Sequence, residues 1–547
     1  MYIPPSSITP FIDGSVVRAS DFNDKFTILV AAINDNDSRI STIITALGGG
    51  FSVNVKSTTY GAKGDGVTDD TVAIQNAINY AISTGVPVYF PLGYYLVSDS
   101  LLVQQNGSYR DAILVGDGNA TLKMINSSKP TIDVKPSTSL FAISGINFKY
   151  DGTNIVAGAG TDNNSHIYID NTSYYLNTAI IDNCYFDTTQ AGLNTGNNYV
   201  YAINTYSVSD MTIKDCVFAS YTECAIKLRR SSNVKIKRNY FMTCRIATIG
   251  MYTASLNGIT PPTPAGMYYY DTTGDSSCYN NLVENNTFFL GGWAGYAISG
   301  FRTVGLRVLN NEFYVDCGAD TTAGVLGYSV ISLYGVINGS STTPVVVYRD
   351  YCQGTQIIGN KFFNDLGYSS TNPSTRGAMA LTNQIDATVS NNTLLDMGSS
   401  TVFNVPMDIR YSYSVVVSDN HITRCRSINA AIYFNTVVGI TIRGNVFTDA
   451  IYGATSLVSV LEYADRGTIS DPFSVGVFTG NVVTYTNSTY KYTVIYTSAN
   501  GSYMTNSQFY VRSFGNQVIG GTQAGYQTGR VFDEIDDVQV LTWMGVV

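Results

Sequence analysis

One short phrase, recurring through the second half of this 547-residue chain, restricts the fold more than any other feature. It consists of two alternating apolar residues, a turn holding an asparagine, and then an aromatic or aliphatic residue. It reads VKIKRNYF, NLVENNTFF, LRVLNNEF, TQIIGNKFF, ATVSNNTLL, VVVSDNHI, ITIRGNVF and VGVFTGNVV. The turn asparagines are Asn239, Asn286, Asn311, Asn360, Asn392, Asn420, Asn445 and Asn481, at spacings of 47, 25, 49, 32, 28, 25 and 36. A base period near 25 with insertions marks a solenoid. Earlier, AIIDNCYF and MTIKDCVF put Cys184 and Cys216 in the same slot. In a parallel β-helix each coil stacks on the next at about 4.8 Å, so equivalent side chains align. A buried turn is then satisfied by an asparagine ladder, and the apolar alternates form a continuous interior stack that no single coil could bury. A β-propeller, the competing architecture, needs longer and more regular repeats. The expectation is an all-β, single-stranded parallel β-helix. The long intervals 239–286 and 311–360 are either extra rungs or protruding loops.

Composition agrees and removes other classes. Lys plus Arg number 31 against 40 acidic residues, a formal charge of −9, which argues against a nucleic-acid partner. Charged residues are 13% of the chain while Tyr is 41 and Gly 50, unlike a long-helix protein or a disordered tail. No apolar run reaches the roughly 18–20 residues that span a bilayer, so no membrane insertion is expected. The start, MYIPPSSITPFIDG, lacks the basic and apolar regions of a secretory signal. The eight cysteines contain no CxxC pair and read as reduced, mostly buried thiols. With only His166 and His421, a histidine-based zinc centre is not expected, and nothing implies a cofactor.

Residues 1–50 stand apart. Phe26, Leu29, Ile33, Asn36, Ile40, Ile43 and Leu47 form a heptad seam that ends at Gly48-Gly49-Gly50. The seam reads either as one amphipathic helix packed on a domain or as a short parallel coiled coil. Residues 51–100 then change character: a strand FSVNV, the glycine loop GAKGDGVTDD, a helix capped by Thr68 or Asp69 with Asp69 and Asp70 in its first turn, and VPVYFPLGYYLVSDS. Val72, Ile74, Ala77, Ile78 and Ala81 are expected on one face of that helix, with Gly85 as its stop. The glycine loop lacks a GK[ST] ending and carries acids where a phosphate would sit.

This stretch of about 45 residues resembles the N-terminal signature of pectate-lyase-like proteins, in which a glycine-aspartate-glycine loop, a DD-initiated helix and a "YFPxGxY" strand plug the end of a right-handed parallel β-helix. It is most similar to the form used in bacteriophage tailspikes. The resemblance implies a homotrimer in the virion tail, made in the bacterial cytoplasm. It implies attachment to a phage tail or baseplate protein through residues 1–50, and a bacterial surface polysaccharide, capsular or O-antigen, as the target. On that reading 51–100 is a capping module, 101–516 the parallel β-helix and 517–547 a C-terminal cap or trimer clasp.

Chemistry would sit along an outward row of the solenoid. Ahead of most turn phrases lies another short strand, from YAINTY (201–206) to LVSVLEY (457–463). Aligning their apolar positions leaves outward Asn204, Tyr206, Lys227, Arg229, Phe301, Arg302, Tyr334, Thr382, Gln384, Asp408, Arg410, Tyr433 and Asn435, with Glu462 close by. Aromatics, carboxylates and guanidiniums together suit carbohydrate. Glycosidic hydrolysis needs a protonated and an ionised carboxyl group, about 5 Å apart for retention or about 6.5–9.5 Å for inversion. Asp408 and Glu462 are expected two rungs apart with Tyr433 between them, which fits inversion, and Arg410 stands beside Asp408. An exposed carboxylate beside an arginine also reads as an ordinary surface ion pair. The alternative chemistry is β-elimination from a uronate, with Lys227, Arg229, Arg230, Lys235, Lys237 and Arg238 neutralising the carboxylate and Glu223 beside them. A non-enzymatic glycan-binding fibre remains a third reading.

Overall fold

In a computed structural model the described residues are 52–104, 110–125, 129–135, 138–150, 165–171, 176–187, 201–221, 224–244, 247–252, 278–290, 296–315, 329–335, 351–364, 377–399, 405–427, 430–452, 458–465, 474–484, 486, 491–499, 509–519, 522–523, 531–535 and 538–540. The heptad seam at 26–47 and Glu223 lie outside them, and at Asn435 and Glu462 only the backbone is described.

Nearly every strand pairs in parallel with its equivalent one coil on. Ile298, for example, follows Ile249 and precedes Ile331, which precedes Met379 and then Met407. This is a parallel β-helix, as the repeated phrase requires. Three strands recur from coil to coil and give three outward faces, and in some coils a two-residue strand such as Thr303–Val304 or Gln384–Ile385 lies between the first and second. Strands such as Tyr296–Phe301, Ile331–Tyr334 and Met379–Thr382 make the first. Leu282–Glu284 and Arg307–Leu309 belong to the second, and Thr287–Leu290 and Glu312–Val315 to the third.

The second corner carries the asparagine ladder. The Oδ1 of Asn286 accepts the backbone N–H of Asn239 at 2.9 Å and its Nδ2–H at 3.0 Å, while Asn239 Nδ2 also donates to the Ile213 carbonyl at 3.0 Å. The same three bonds repeat at Asn286, and the ladder continues through Asn311, Asn360, Asn392, Asn420, Asn445 and Asn481 to Asn516. Burying these amides costs little because each donor and acceptor has a partner from the neighbouring coil. Cys216 occupies the slot one coil earlier: its N–H donates to Asn239 Oδ1 at 2.9 Å. The residue ahead of each ladder asparagine turns the corner with positive φ, as at Asn310 (54°), where an asparagine tolerates the left-handed region.

Inside, Phe186, Phe218, Phe241, Phe288, Phe313 and Phe362 form one column with ring centroids 4.7 to 5.0 Å apart and planes 6° to 12° off parallel, 14° at one step. Coil spacing fixes that distance, so stacking here follows from register. Among the described residues Cys184, Cys216, Cys278, Cys352 and Cys425 are buried thiols outside any disulfide, as expected.

The capping module departs from expectation in detail. The helix α1 runs Thr71–Thr84 and its N-cap is Asp70, with no acidic residue in the first turn. Asp65–Asp69 is strand, so neither Thr68 nor Asp69 is the N-cap residue, although the Asp69 carboxylate accepts the N–H of Thr71 at 3.0 Å. The buried Asp70 carboxylate instead accepts the backbone N–H groups of Lys63 at 2.6 Å and Gly64 at 2.9 Å, tying the glycine loop to the helix start. Ile74, Ala77, Ile78, Ala81 and Ile82 face the core, whereas Val72 is 72% exposed. Gly85 closes the helix with φ 74°. The strands of this module pair directly with the next coil, Gly93–Val97 against 120–124, so the solenoid starts here and has no break at 100. At the other end parallel pairing reaches 531–533, followed by an antiparallel return of Val538–Val540 on Val531–Ile535. Among the described residues no helix is long and apolar enough to cross a membrane.

Candidate functional site

The first face carries the predicted row in two columns. Backbone register aligns Asn204 with Lys227, then Gly250, Ser299, Ser332, Ala380, Asp408, Tyr433 and Glu462. Two residues further along each strand, Tyr206 aligns with Arg229, and Phe301 with Tyr334, Thr382, Arg410 and Asn435. The column between Lys227 and Asp408 holds only small side chains, of which Ser299 and Ser332 are buried, beside the aromatic column containing Phe301 and Tyr334.

Asp408, Arg410 and Tyr433 come together. Arg410 donates to both carboxylate oxygens of Asp408, Nε to Oδ1 at 2.7 Å and Nη2 to Oδ2 at 2.6 Å, and lies 5.5 Å from the Tyr433 ring centroid. Tyr433 is 1% exposed and packs with Val405. Burial pushes the Asp408 carboxyl above its ordinary range, against the opposing pull of Arg410. Arg410 is 30% exposed and Asp408 14%, so this pair is not the ordinary surface ion pair of the bland reading. Tyr334 is half-buried; its hydroxyl lies 3.2 Å from Ser332 Oγ, and burial raises its pKa. Glu462 is in register with Tyr433, two coils from Asp408.

A second group gathers near 201–230. Lys227 Nζ donates to Tyr201 Oη at 2.9 Å and sits 4.6 Å from that ring's centroid. Arg229 is 3% exposed, donates to Asn204 Oδ1 at 3.2 Å and lies against the Tyr206 ring. Arg230 Nη1 donates to Tyr206 Oη at 3.2 Å.

Two positions are corrected. Gln384 does not face outward: it is fully buried at a corner, accepting from Thr355 Oγ1 at 2.9 Å and donating to the Leu333 and Thr382 carbonyls. Alternation stopped at Asn383, which has φ 55° and turns the chain, so counting by twos across it fails. Arg302 likewise sits in a buried corner with φ 50°, not on the strand. Sequence reasoning passed over Tyr201 and Tyr296, although the repeated triplet Tyr-Ala-Ile at 201–203 and 296–298 marks both as the first position of this face. Among the described residues no His/Cys/Asp/Glu group could hold a metal ion.

Residues 52–261 match the family model described as rhamnogalacturonase A/epimerase, pectate lyase-like. The preneck appendage protein of Bacillus phage PZA is 44% identical over 79 residues, 14% of this chain and 8% of that protein. The pre-neck appendage protein of Bacillus phage B103 is 29% identical over 205 residues, 34% of this chain and 22% of that protein. The chain therefore spans less than a quarter of the length of these curated relatives. A solved structure of PfbA, a surface adhesin of Streptococcus pneumoniae, aligns with 89% of this chain and 96% of its own at a TM-score of 0.42 and 16% identity. The asparagine ladder and the parallel pairing make this chain a parallel β-helix, and its residues 52–261 are similar to the pectate-lyase-like family model.

Proposed function

We propose that this protein is a bacteriophage tail appendage that binds a bacterial surface polysaccharide along the first face and cleaves it by hydrolysis. The names of the phage relatives, which are appendage proteins, support the virion assignment, and the family description supports carbohydrate as the ligand. One observation carries the chemistry: Asp408 and the backbone of Glu462 lie on one outward column two coils apart, about 9–10 Å between backbones at the usual strand spacing. That separation suits an inverting pair with water between the carboxyls. Asp408 and Glu462 are the two carboxyl groups of that pair, one protonating the leaving oxygen and the other activating water. Arg410 holds the Asp408 carboxyl in place.

A second reading rests on the Lys227–Tyr201 hydrogen bond, which joins a cation to a phenol able to abstract a proton, as β-elimination from a uronate requires. The test is incubation with capsular and O-antigen polysaccharides and weighing of the products. One water gained per cut means hydrolysis, and Asp408→Asn should then lower the rate by about 10²–10⁴-fold with its β-sheet circular dichroism unchanged. Unsaturated uronate ends with no added water favour the second reading. A glycan that binds and is never shortened leaves a binding appendage without catalysis.

A further inference from the structure

The corner that carries the asparagine ladder changes chemistry along its length. Its slot holds Ala120, Ile146, Cys184 and Cys216 on successive coils, and asparagine from Asn239 onward. Two thiols therefore stand one coil apart where the slot passes from apolar to amide. Register is intact on both sides of them, Asp182 with Lys214 and Tyr185 with Val217, and the Val217 N–H donates to the Cys184 carbonyl at 2.9 Å. Coil spacing then sets their Cα atoms about 4.8 Å apart, inside the range of about 4.4–6.8 Å that a disulfide spans. The side chains point the same way: Cys184 Sγ donates to the Asp182 carbonyl at 3.2 Å and Cys216 Sγ to the Lys214 carbonyl at 3.1 Å, each two residues back. The thiols also meet, since Cys216 is hydrogen-bonded by both the side chain and the backbone N–H of Cys184. Asn239 makes the same two contacts with Asn286 Oδ1. Sulfur is a weak donor and a weak acceptor, so this step of the ladder is held less firmly than the amide steps.

Other described cysteines have different neighbours: Cys278 has Thr303 in register, and Cys352 has Gln384. Selectivity for the 184–216 pair is therefore built into the winding of the chain. Both thiols are buried, and burial together with the Cys184 thiol pushes the Cys216 thiol up, so the closed corner keeps the pair protonated and slow to react. Each thiol nevertheless directly follows an exposed corner residue in the left-handed region, Asn183 at φ 48° and Asp215 at φ 54°. Local opening of this one corner exposes both sulfurs together. A bond formed there is afterwards as well covered from reductants as the thiols were from oxidants.

We propose that Cys184 and Cys216 are an oxidation site, which a low-molecular-weight disulfide such as oxidised glutathione converts into a covalent staple between two coils. One protein thiolate attacks the small disulfide, forming a mixed disulfide and releasing one small thiolate. The other protein thiolate then attacks the protein sulfur of that mixed disulfide, forming the Cys184–Cys216 bond and expelling the second small thiolate. The two thiol protons pass to the two released thiolates; the protein pair loses two electrons, which the small disulfide gains. The pair stays open in a thiol-rich compartment and closes outside one. The test treats the full-length protein with oxidised glutathione or with dithiothreitol, in urea below the unfolding midpoint so that the corner opens more often. Remaining thiols are alkylated after denaturation and the peptides weighed. The oxidised sample should give one cross-linked peptide pair joining 184 to 216, lighter by two hydrogens than its halves, while Cys278, Cys352 and Cys425 are alkylated in both samples. Hydrogen exchange over 179–187 and 211–219 should slow by about tenfold or more on oxidation, with 361–364 unchanged. Cys184→Ser should lose both the cross-link and the slowing; Cys216→Ser serves if that variant does not fold. Alkylation of both thiols in both samples, a glutathione adduct that persists on either sulfur, a cross-link to a different cysteine, or a cross-link without slower exchange would each overturn the proposal.

Discussion

At the scale of the residue, the most informative side chains are amides and rings whose role depends on a neighbour one coil away. Asn311 Oδ1 accepts two bonds from Asn286, and its own Nδ2 donates to the Val283 carbonyl and to Asn360 Oδ1. Asn311→Ala should destabilise by about 1–3 kcal/mol for each buried group left without a partner, read as a lower urea midpoint. His166 gives a different signature. It is fully buried, stacks on Tyr150 at 4.3 Å, and burial pulls its pKa down to about 3. The folded state keeps the ring neutral while the unfolded chain protonates near pH 6.5. Stability is therefore full above that pH and is lost progressively as pH falls from about 6.5 toward 3, by up to about 5 kcal/mol. His166→Phe should flatten the unfolding midpoint over that window, and an unchanged profile would refute the assignment.

At the scale of the element, α1 separates helix propensity from packing. Ile78 is fully buried against the first coils, and Ile78→Ala should cost about 2–5 kcal/mol in thermal or chemical unfolding. Val72, on the same helix and equally apolar, is exposed, and Val72→Ala should change stability by less than about 0.5 kcal/mol. The pattern of apolar residues along 72–81 placed both on one face. The packing divides them because the helix starts at Thr71, so Val72 lies in the first turn beyond the core edge.

At the scale of the whole molecule, each coil touches only its neighbours, so damage should stay local. Phe313→Ala opens a gap between Phe288 and Phe362 and should cost about 3–5 kcal/mol. Hydrogen exchange should speed up first in the strands around 287–290 and 361–364, while residues 88–103 keep their protection. Uniform loss of protection along the chain would show a more cooperative body than this topology implies. The same one-dimensional order keeps the polar and aromatic, the charged and the apolar columns apart along the described coils.

The repeated phrase settled the solenoid and the asparagine ladder with Cys216 in its slot, because both follow from a local pattern copied along the chain, and the stop at Gly85 was legible as a local helix end. Register made the alignment of Asp408, Tyr433 and Glu462 legible for the same reason. Three things were decided by tertiary structure. Positive-φ corners at Asn383 and Arg302 broke the alternation, so Gln384 and Arg302 turned inward where counting by twos sent them outward. The loop–helix junction drew Asp70 away from the helix N–H groups to the glycine loop. The pairing of coils decided which apolar outward residues form a column, since Met242, Phe289, Tyr314 and Phe363 are 121 positions apart from first to last in sequence and adjacent only once the chain has wound.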